Sequence, residues 1–335
     1  MASRTTIIGI TLGDVNGIGP EVACAATARK WPESLRLVLI GDRAIVTQLM
    51  AAHGFAQPAC WAPEQSDVPP SPVSVWDPGQ RPPLPHNPGR CRVAAARAAY
   101  DWICAGTQAA LDGKLHALVT APIQKEGFMK AGIDVPGHTE LLARCCGVQQ
   151  VEMMLLAGTF RVVLATRHIP LANVPAALTP SGLQATIRMT AEMLEWLGAR
   201  HKRIAVCGLN PHAGDGGAIG REEQTCIMPA IRQARRQLPH LTGPVPADTV
   251  FHQVRQHQYD AVVAMYHDQG LAPFKMWAFD RGVNLTGGLP IVRTSPDHGT
   301  AYDLAGRNQA NPASMVAAIR LAARLAHRPN PWARA

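Results

Sequence analysis

The sequence predicts an α/β protein of two domains built on mostly parallel sheets. Three observations predict it. Short apolar runs alternate with longer helical patterns from Thr6 to near the C-terminal end, the order that lays helices on the faces of a parallel sheet. At 335 residues the chain buries a large core, and its length suggests two domains or one extended α/β unit. Three of the apolar runs also lead into a histidine: Arg161 to Thr166 into His168, Ile204 to Leu209 into His212, and Ala261 to Met265 into His267. In open α/β sheets, ligands bind beyond the carboxyl ends of strands.

The first strand is expected over Thr6 to Leu12. Gly13-Asp14-Val15-Asn16-Gly17-Ile18-Gly19-Pro20-Glu21 then turns tightly into a helix reaching about Lys30. Pro20 suits the first helical turn, and Glu21 complements the helix dipole. The motif is not a dinucleotide fingerprint, because the third glycine of G-x-G-x-x-G falls on Val22. A strand over Leu35 to Ile40 and a helix to about His53 follow. Residues 57–90 hold ten prolines and read as a surface excursion with one strand at Val73 to Trp76, a decoration rather than a site. A helix is expected from Cys91 to about Leu111, then a strand from Ala117 to Thr120 ending at Ala121-Pro122-Ile123-Gln124-Lys125. Gly137-His138-Thr139-Glu140 leads into a helix from Leu141 to Cys146, with Thr139 as its candidate cap.

A helix from about Ser181 to Leu197, closed by Gly198, follows the His168 loop. The glycine-rich loop Asn210 to Gly217 carries His212 and precedes a helix from about Glu222 to Leu238. Pro246-Ala247-Asp248-Thr249 introduces a short helix. From Tyr266 to Lys275, with Pro273 inside, the chain reads as a polar loop. A last glycine-bounded loop, Asp297 to Gly306, and Asn311-Pro312 lead into a final helix from Ala313 to about Ala326.

Composition narrows the function. The net charge of +8 comes from 32 Lys+Arg against 24 Asp+Glu, and scattered arginines give a general attraction for anionic substrates. No basic run is interleaved with aromatics, and only 5% of residues are aromatic, which argues against nucleic acid. Eight cysteines without C-x-x-C spacing fit thiols in a reducing compartment. The apolar N-terminal run is too short for a signal peptide, and Arg161 interrupts the nearest membrane candidate, so a cytoplasmic location is expected.

Three sets of residues carry candidate chemistry. His168, His212 and His267 suit one divalent metal, because catalytic zinc sites take three protein ligands and keep a position open; singly, each has a structural alternative. Asp248 and Asp268 are candidate ring partners or proton acceptors, or else a helix cap and a turn carboxylate. His138, Thr139, Lys275, Asn284 and Arg293 supply the donors and positive charges that a phosphorylated or carboxylated substrate needs. The loop containing His298, Gly299, Thr300, Ala301 and Asp303, with Asn311 after it, binds a nucleotide or simply turns the chain.

Together the motifs Gly-Asp-x-x-Gly-Ile-Gly-Pro-Glu at 13–21, Thr-Ala-Pro-Ile-x-Lys at 120–125, Gly-His-Thr-Glu at 137–140, Asn-Pro-His-Ala-Gly at 210–214, Tyr-His-Asp-Gln-Gly at 266–270 and Arg-Thr-Ser-x-Asp-His-Gly-Thr-Ala at 293–301 resemble the PdxA family of 4-hydroxythreonine-4-phosphate dehydrogenases. The loop 298–306 and Asn311-Pro312 also resemble the adenine-binding loop of isocitrate and isopropylmalate dehydrogenases. The resemblance implies that fold, with two α/β domains and an active-site cleft between them: 1–130 with 281–335 on the cofactor side, and 131–280 for metal, substrate and dimerisation. It implies a divalent metal (zinc, magnesium or cobalt) on His168, His212 and His267, the third from a partner subunit of a homodimer. It places substrate on His138, Thr139, Lys275, Asn284 and Arg293, and NAD or NADP on His298, Gly299, Thr300, Ala301, Asp303 and Asn311. Lys125 joins Asp248 and Asp268 as a candidate catalytic group. The implied reaction is oxidation of 4-phosphohydroxy-L-threonine at C3, then decarboxylation to 3-amino-2-oxopropyl phosphate, a step of pyridoxine and pyridoxal phosphate biosynthesis.

The sequence departs from the family pattern at Val15-Asn16, where Pro-Ala is usual, at Gly287, where leucine is usual, and in its proline-rich stretch. Those departures admit a sister dehydrogenase acting on a phosphoerythronate or phosphothreonate. A metal-dependent phosphohydrolase and a non-enzymatic anion-binding protein are the readings from other classes.

Overall fold

Strand Thr6–Thr11 is buried at every position, as a strand covered on both faces must be. In the computed structural model, which describes residues 5–79 and 84–333, it sits inside a sheet of six parallel strands. Their order is Ala59–Cys60, Val73–Trp76, Leu35–Ile40, Thr6–Thr11, Ala117–Thr120 and Arg293–Pro296. The proline-rich stretch supplies the two outer strands at one edge, and its residues 80–83 lie outside the described residues. Helices Gly19–Thr27, Arg43–Ala52, Val93–Leu111, Lys125–Lys130, His138–Cys146 and Ala313–Leu325 belong to the same compact unit, residues 1–151 with 289–335. Asp42 caps the second of these, accepting from the amides of Ala44 and Ile45.

The second unit, residues 152–288, orders its strands Val283–Gly287, Glu152–Ala157, Phe160–Leu164, Ala261–Ala264, Ile204–Cys207 and Leu241–Val245. Glu152–Ala157 is antiparallel to both of its neighbours, and the last four strands are parallel. The antiparallel hairpin at 152–164 is absent from the sequence reading, which saw only its second strand; Gly158, at φ +63, makes the turn.

The expected domain boundaries at 130/131 and 280/281 shift to 151/152 and 288/289. Helix His138–Cys146 explains the first shift. It packs on helix Val93–Leu111, with Cys145 Sγ 3.6 Å from Cys104 Sγ and Arg144 donating to Tyr100, so it belongs with the first core.

A larger correction concerns residues 267–278. The expected polar loop is a helix, His267–Ala278, with Pro273 inside it. Proline argues against helix locally, but Gly270, Phe274 and Ala278 are buried at helical spacing. A Cβ on Gly270 would lie 2.7 Å from Leu164 and Val162, and Phe274 meets Phe160 edge to face. Burial of that face outweighs the local penalty. Among the described residues, no helix is long and apolar enough to cross a membrane.

Candidate active site

Strands Phe160–Leu164, Ala261–Ala264 and Ile204–Cys207 are parallel neighbours, so His168, His267 and His212 all leave the same edge of one sheet. His168 and His267 meet, with 5.6 Å between ring centroids. They border a groove of about 310 Å³ with Thr166, Arg167, Tyr266 and Asp268. His267 is the first residue of its helix, and its Nδ1 lies 2.7 Å from Asp268 Oδ1. Against a carboxylate the imidazole donates from Nδ1, which leaves a lone pair on Nε2, the form that ligates a metal. Asp268 is thus placed as a partner of the His267 ring. Two neighbouring imidazoles, one with its tautomer set, fit a divalent cation in donor type. Among the described residues, one chain places no group of three or more His, Cys, Asp or Glu side chains to hold a metal.

His212 stands on an unusual backbone. The five residues His212 to Gly216 all have positive φ, between 43° and 82°, a conformation that costs non-glycine residues energy. Glu223 braces it. One carboxylate oxygen accepts the amides of Leu209 and Asn210, each at 2.8 Å, and the other accepts Asn210 Nδ2 at 2.9 Å. Gln269 braces the neighbouring ends: its Oε1 accepts Met265 N at 2.6 Å and its Nε2 donates to Gly208 O at 2.8 Å. The sequence reading missed both roles. Gln269 belongs to the Tyr-His-Asp-Gln-Gly motif at 266–270, but nothing local marks either side chain as a brace. Asp248 is exposed in the first turn of helix Ala247–Arg255.

Lys275 and Asn284 also belong to the second unit. Lys275 lies eight residues beyond His267 on the same helix, about 12 Å along its axis, with Nζ 5.5 Å from the Phe279 ring centroid. Asn284 donates from Nδ2 to Met153 Sδ, and its buried Oδ1 has no partner among the described residues.

In the first unit, Arg293 is buried to 2% exposure and its Nη2 donates to Thr120 Oγ1 at 2.6 Å. Desolvation pulls its pKa down to about 10, partly offset by Glu140, so it stays cationic at neutral pH. His138 is half-buried, with Nε2 sealed from solvent and unpartnered among the described residues. Burial first, then the charge of Arg293, holds its pKa well below the usual histidine value, against a hydrogen bond to the Ala121 backbone. Thr139 is not the expected cap: the helix starts at His138 and Gly137 is the N-cap residue, without a side-chain bond. Lys125 opens helix Lys125–Lys130, and its Cε would lie 3.6 Å from a Cβ on Gly137. Arg293, His138 and Lys125 thus gather cationic and hydrogen-bonding groups suited to an anion.

The match to known proteins decides the family. A model of the family described as pyridoxal phosphate biosynthetic protein PdxA matches residues 33–322. A 4-hydroxythreonine-4-phosphate dehydrogenase from Desulfosudis oleivorans is 45% identical over 322 residues, covering 94% of this chain and 95% of its own. The chain belongs to the PdxA family. Its fold agrees: a crystal structure of 4-hydroxythreonine-4-phosphate dehydrogenase from Klebsiella pneumoniae superposes with a TM-score of 0.85 at 35% identity, covering 97% of this chain and 99% of that one. A terephthalate 1,2-cis-dihydrodiol dehydrogenase from Burkholderia xenovorans superposes with a TM-score of 0.66 at 29% identity, covering 96% and 98%.

The departures from the usual PdxA pattern have local explanations. Val15 is fully buried and packs in the core, and Asn16 Oδ1 accepts Asn87 N at 2.7 Å, tying the turn to the proline-rich stretch. Gly287 closes strand Val283–Gly287 opposite Glu152. The nucleotide candidates lie in the first unit. Thr300 is buried, Ala301 is left-handed at φ +40, and Gly299 and Asp303 are exposed. A Cβ added to Gly299 would meet nothing within 4 Å, leaving open space of the kind a dinucleotide needs beside the backbone. Asn311 Oδ1 accepts Ala313 N at 3.0 Å and so also starts the last helix.

Proposed function

We propose that this PdxA-family chain is a metal-dependent dehydrogenase. It oxidises 4-phosphohydroxy-L-threonine at C3 with NAD or NADP, and the product loses carbon dioxide to give 3-amino-2-oxopropyl phosphate. The observation that carries the reading is the His168–His267 pair at the sheet edge, with His267 Nδ1 fixed by Asp268. When bound, a divalent cation (zinc, magnesium or cobalt) supplies Lewis acidity to the hydroxyl and to the charge left by decarboxylation, and the nicotinamide accepts hydride.

The chain's own residues bind and orient. Arg293 offers a buried cation that needs no reorganisation when an anion arrives. His138, held neutral, offers a hydrogen bond without adding a second charge beside Arg293. Thr139, Lys275 and Asn284 complete the substrate donors. Asp268 holds the His267 ring, and Lys125, Asp248 and Asp268 are the proton carriers to separate by mutation.

The pair also bears on sharing between subunits. The resemblance assigns the ring supplied by the second copy of a homodimer to His267; the meeting of His168 and His267 within one chain makes His212 the alternative, and mixed dimers of single-histidine variants separate the two. Eight cysteines without C-x-x-C spacing fit the reducing cytoplasm.

One assay tests the reaction. Purified protein, 4-phosphohydroxy-L-threonine and NAD or NADP should yield reduced nicotinamide and carbon dioxide in equal amounts. Chelation should stop turnover, and zinc, magnesium or cobalt should restore it. Phosphate release without nicotinamide reduction would mark a phosphohydrolase. Preference for phosphoerythronate or phosphothreonate in the same panel would mark the sister activity.

A further inference from the structure

The Gly13–Glu21 turn and the proline-rich stretch are unused by the chemistry above, and they meet around the candidate nucleotide loop. Ile18 N donates to Thr300 O at 2.9 Å, and a Cβ on Gly17 would lie 2.8 Å from that carbonyl oxygen. The Tyr302 hydroxyl donates to Asp14 Oδ2 at 2.5 Å. The buried Glu21 carboxylate takes two loop amides, Gly306 N on Oε1 at 2.5 Å and Asn308 N on Oε2 at 3.1 Å. Glu21 therefore does more than complement a helix dipole.

The stretch 84–90 closes around the same loop. Leu84 N donates to Asp42 Oδ2 at 3.0 Å, Asn87 N to Asn16 Oδ1 at 2.7 Å, and Gly89 N to Asn16 O at 2.7 Å. A Cβ on Gly306 would sit 2.8 Å from Pro88 Cβ, and one on Gly89 3.0 Å from Tyr302 O. Two departures from the usual family pattern, Asn16 and the proline-rich stretch, are thus bonded to each other. The stretch is a strap rather than a decoration.

We propose that Glu21 and Asn16 are positioning residues for dinucleotide binding: they lock the loop 298–308 and the strap 84–90 into one cradle, so the loop is pre-formed when the dinucleotide arrives. This rests on reading the loop as the dinucleotide site. A fixed loop binds more tightly because less ordering remains to be done on binding.

The test uses the full chain and its variants Glu21→Gln, Asn16→Ala and Asp303→Ala. Fluorescence titration with NADH and NADPH gives affinity, and hydrogen exchange reports the loop and strap amides. Glutamine keeps one acceptor oxygen and turns an amide donor toward the other N–H. Glu21→Gln should therefore weaken dinucleotide binding about tenfold or more and speed exchange at Gly306 and Asn308. It should raise the dinucleotide KM with kcat held within about threefold. Asn16→Ala should speed exchange at Asn87 and weaken binding about threefold. Faster exchange with unchanged affinity in both variants overturns the proposal. If Asp303→Ala still weakens binding, the loop remains the dinucleotide site. If none of the three changes affinity, that reading falls too. Should Glu21→Gln fail to fold, Asn16→Ala decides, and unchanged affinity there overturns the proposal.

Discussion

At the scale of single residues, burial and the charge of Arg293 keep the His138 imidazole neutral. In the unfolded chain the same ring takes up a proton near pH 6.5. The unfolded state then binds more protons, so stability is full above that pH and falls as pH drops through and below it, by about 1.4 kcal/mol per pH unit. Urea unfolding of wild type and His138→Gln at pH 7, 6 and 5 should show this slope in their difference; parallel curves would remove the assignment. Arg293, by contrast, stays charged throughout that range, with its pKa near 10. Arg293→Gln should lower kcat/KM for the phosphorylated substrate by about 10- to 100-fold, mostly through KM, since a hydrogen bond to a charged group contributes about 1.5–3 kcal/mol. Steady-state kinetics on folded protein checks it, and an unchanged KM would take Arg293 out of the substrate site. Both residues stood out in the sequence as donors suited to a phosphorylated or carboxylated substrate. Their depth did not, because it is set by segments more than a hundred residues away.

Elements were legible where periodicity was clean. The strands Leu35–Ile40, Val73–Trp76 and Ala117–Thr120 fall where their apolar runs place them. Helix Pro180–Leu197 ends at the expected Gly198, in the left-handed conformation. Reading failed at helix His267–Ala278, where a local breaker, Pro273, was outweighed by packing of Gly270 and Phe274. The glycine-rich loop of His212 was legible as a loop, but not its left-handed backbone, which the Glu223 side chain braces. Glycines at turns give a test of how much sterics adds to backbone strain. Gly13 has φ +67, and a Cβ there would lie 2.2 Å from Pro122 O; Gly54 has φ +64 with nothing within 4 Å. Gly54→Ala should cost about 1–2 kcal/mol, the left-handed penalty alone. Gly13→Ala should cost on the order of 3 kcal/mol or more, as overpacking adds to it. Equal losses in denaturant unfolding would show that the contact with Pro122 relaxes freely.

At the scale of the whole molecule, the proposed metal site is tested by asking which chain of a homodimer supplies each histidine. Because His168 and His267 meet within one chain, inactive His212→Ala mixed with inactive His168→Ala should recover up to about half of one dimer's sites. His168→Ala mixed with His267→Ala should recover none, since each mixed site would lack a ring. Activity of isolated heterodimers, read against metal content, is the measurement. Recovery only in the second mixture would return His267 to the partner, as the family resemblance implied. No recovery in either would assign all three rings to a single chain.

The sequence by itself determined the α/β alternation, the histidines at three strand ends and the motifs of the PdxA family. These are written locally, in side-chain period and in short runs of residues. Only the tertiary structure decided that the three histidine-bearing strands are neighbours, that His267 begins a helix, and that the turn at 13–21, the strap at 84–90 and the loop at 298–308 brace one another. Those facts depend on which buried surfaces and backbone amides find partners across long stretches of chain, and no local pattern encodes that choice.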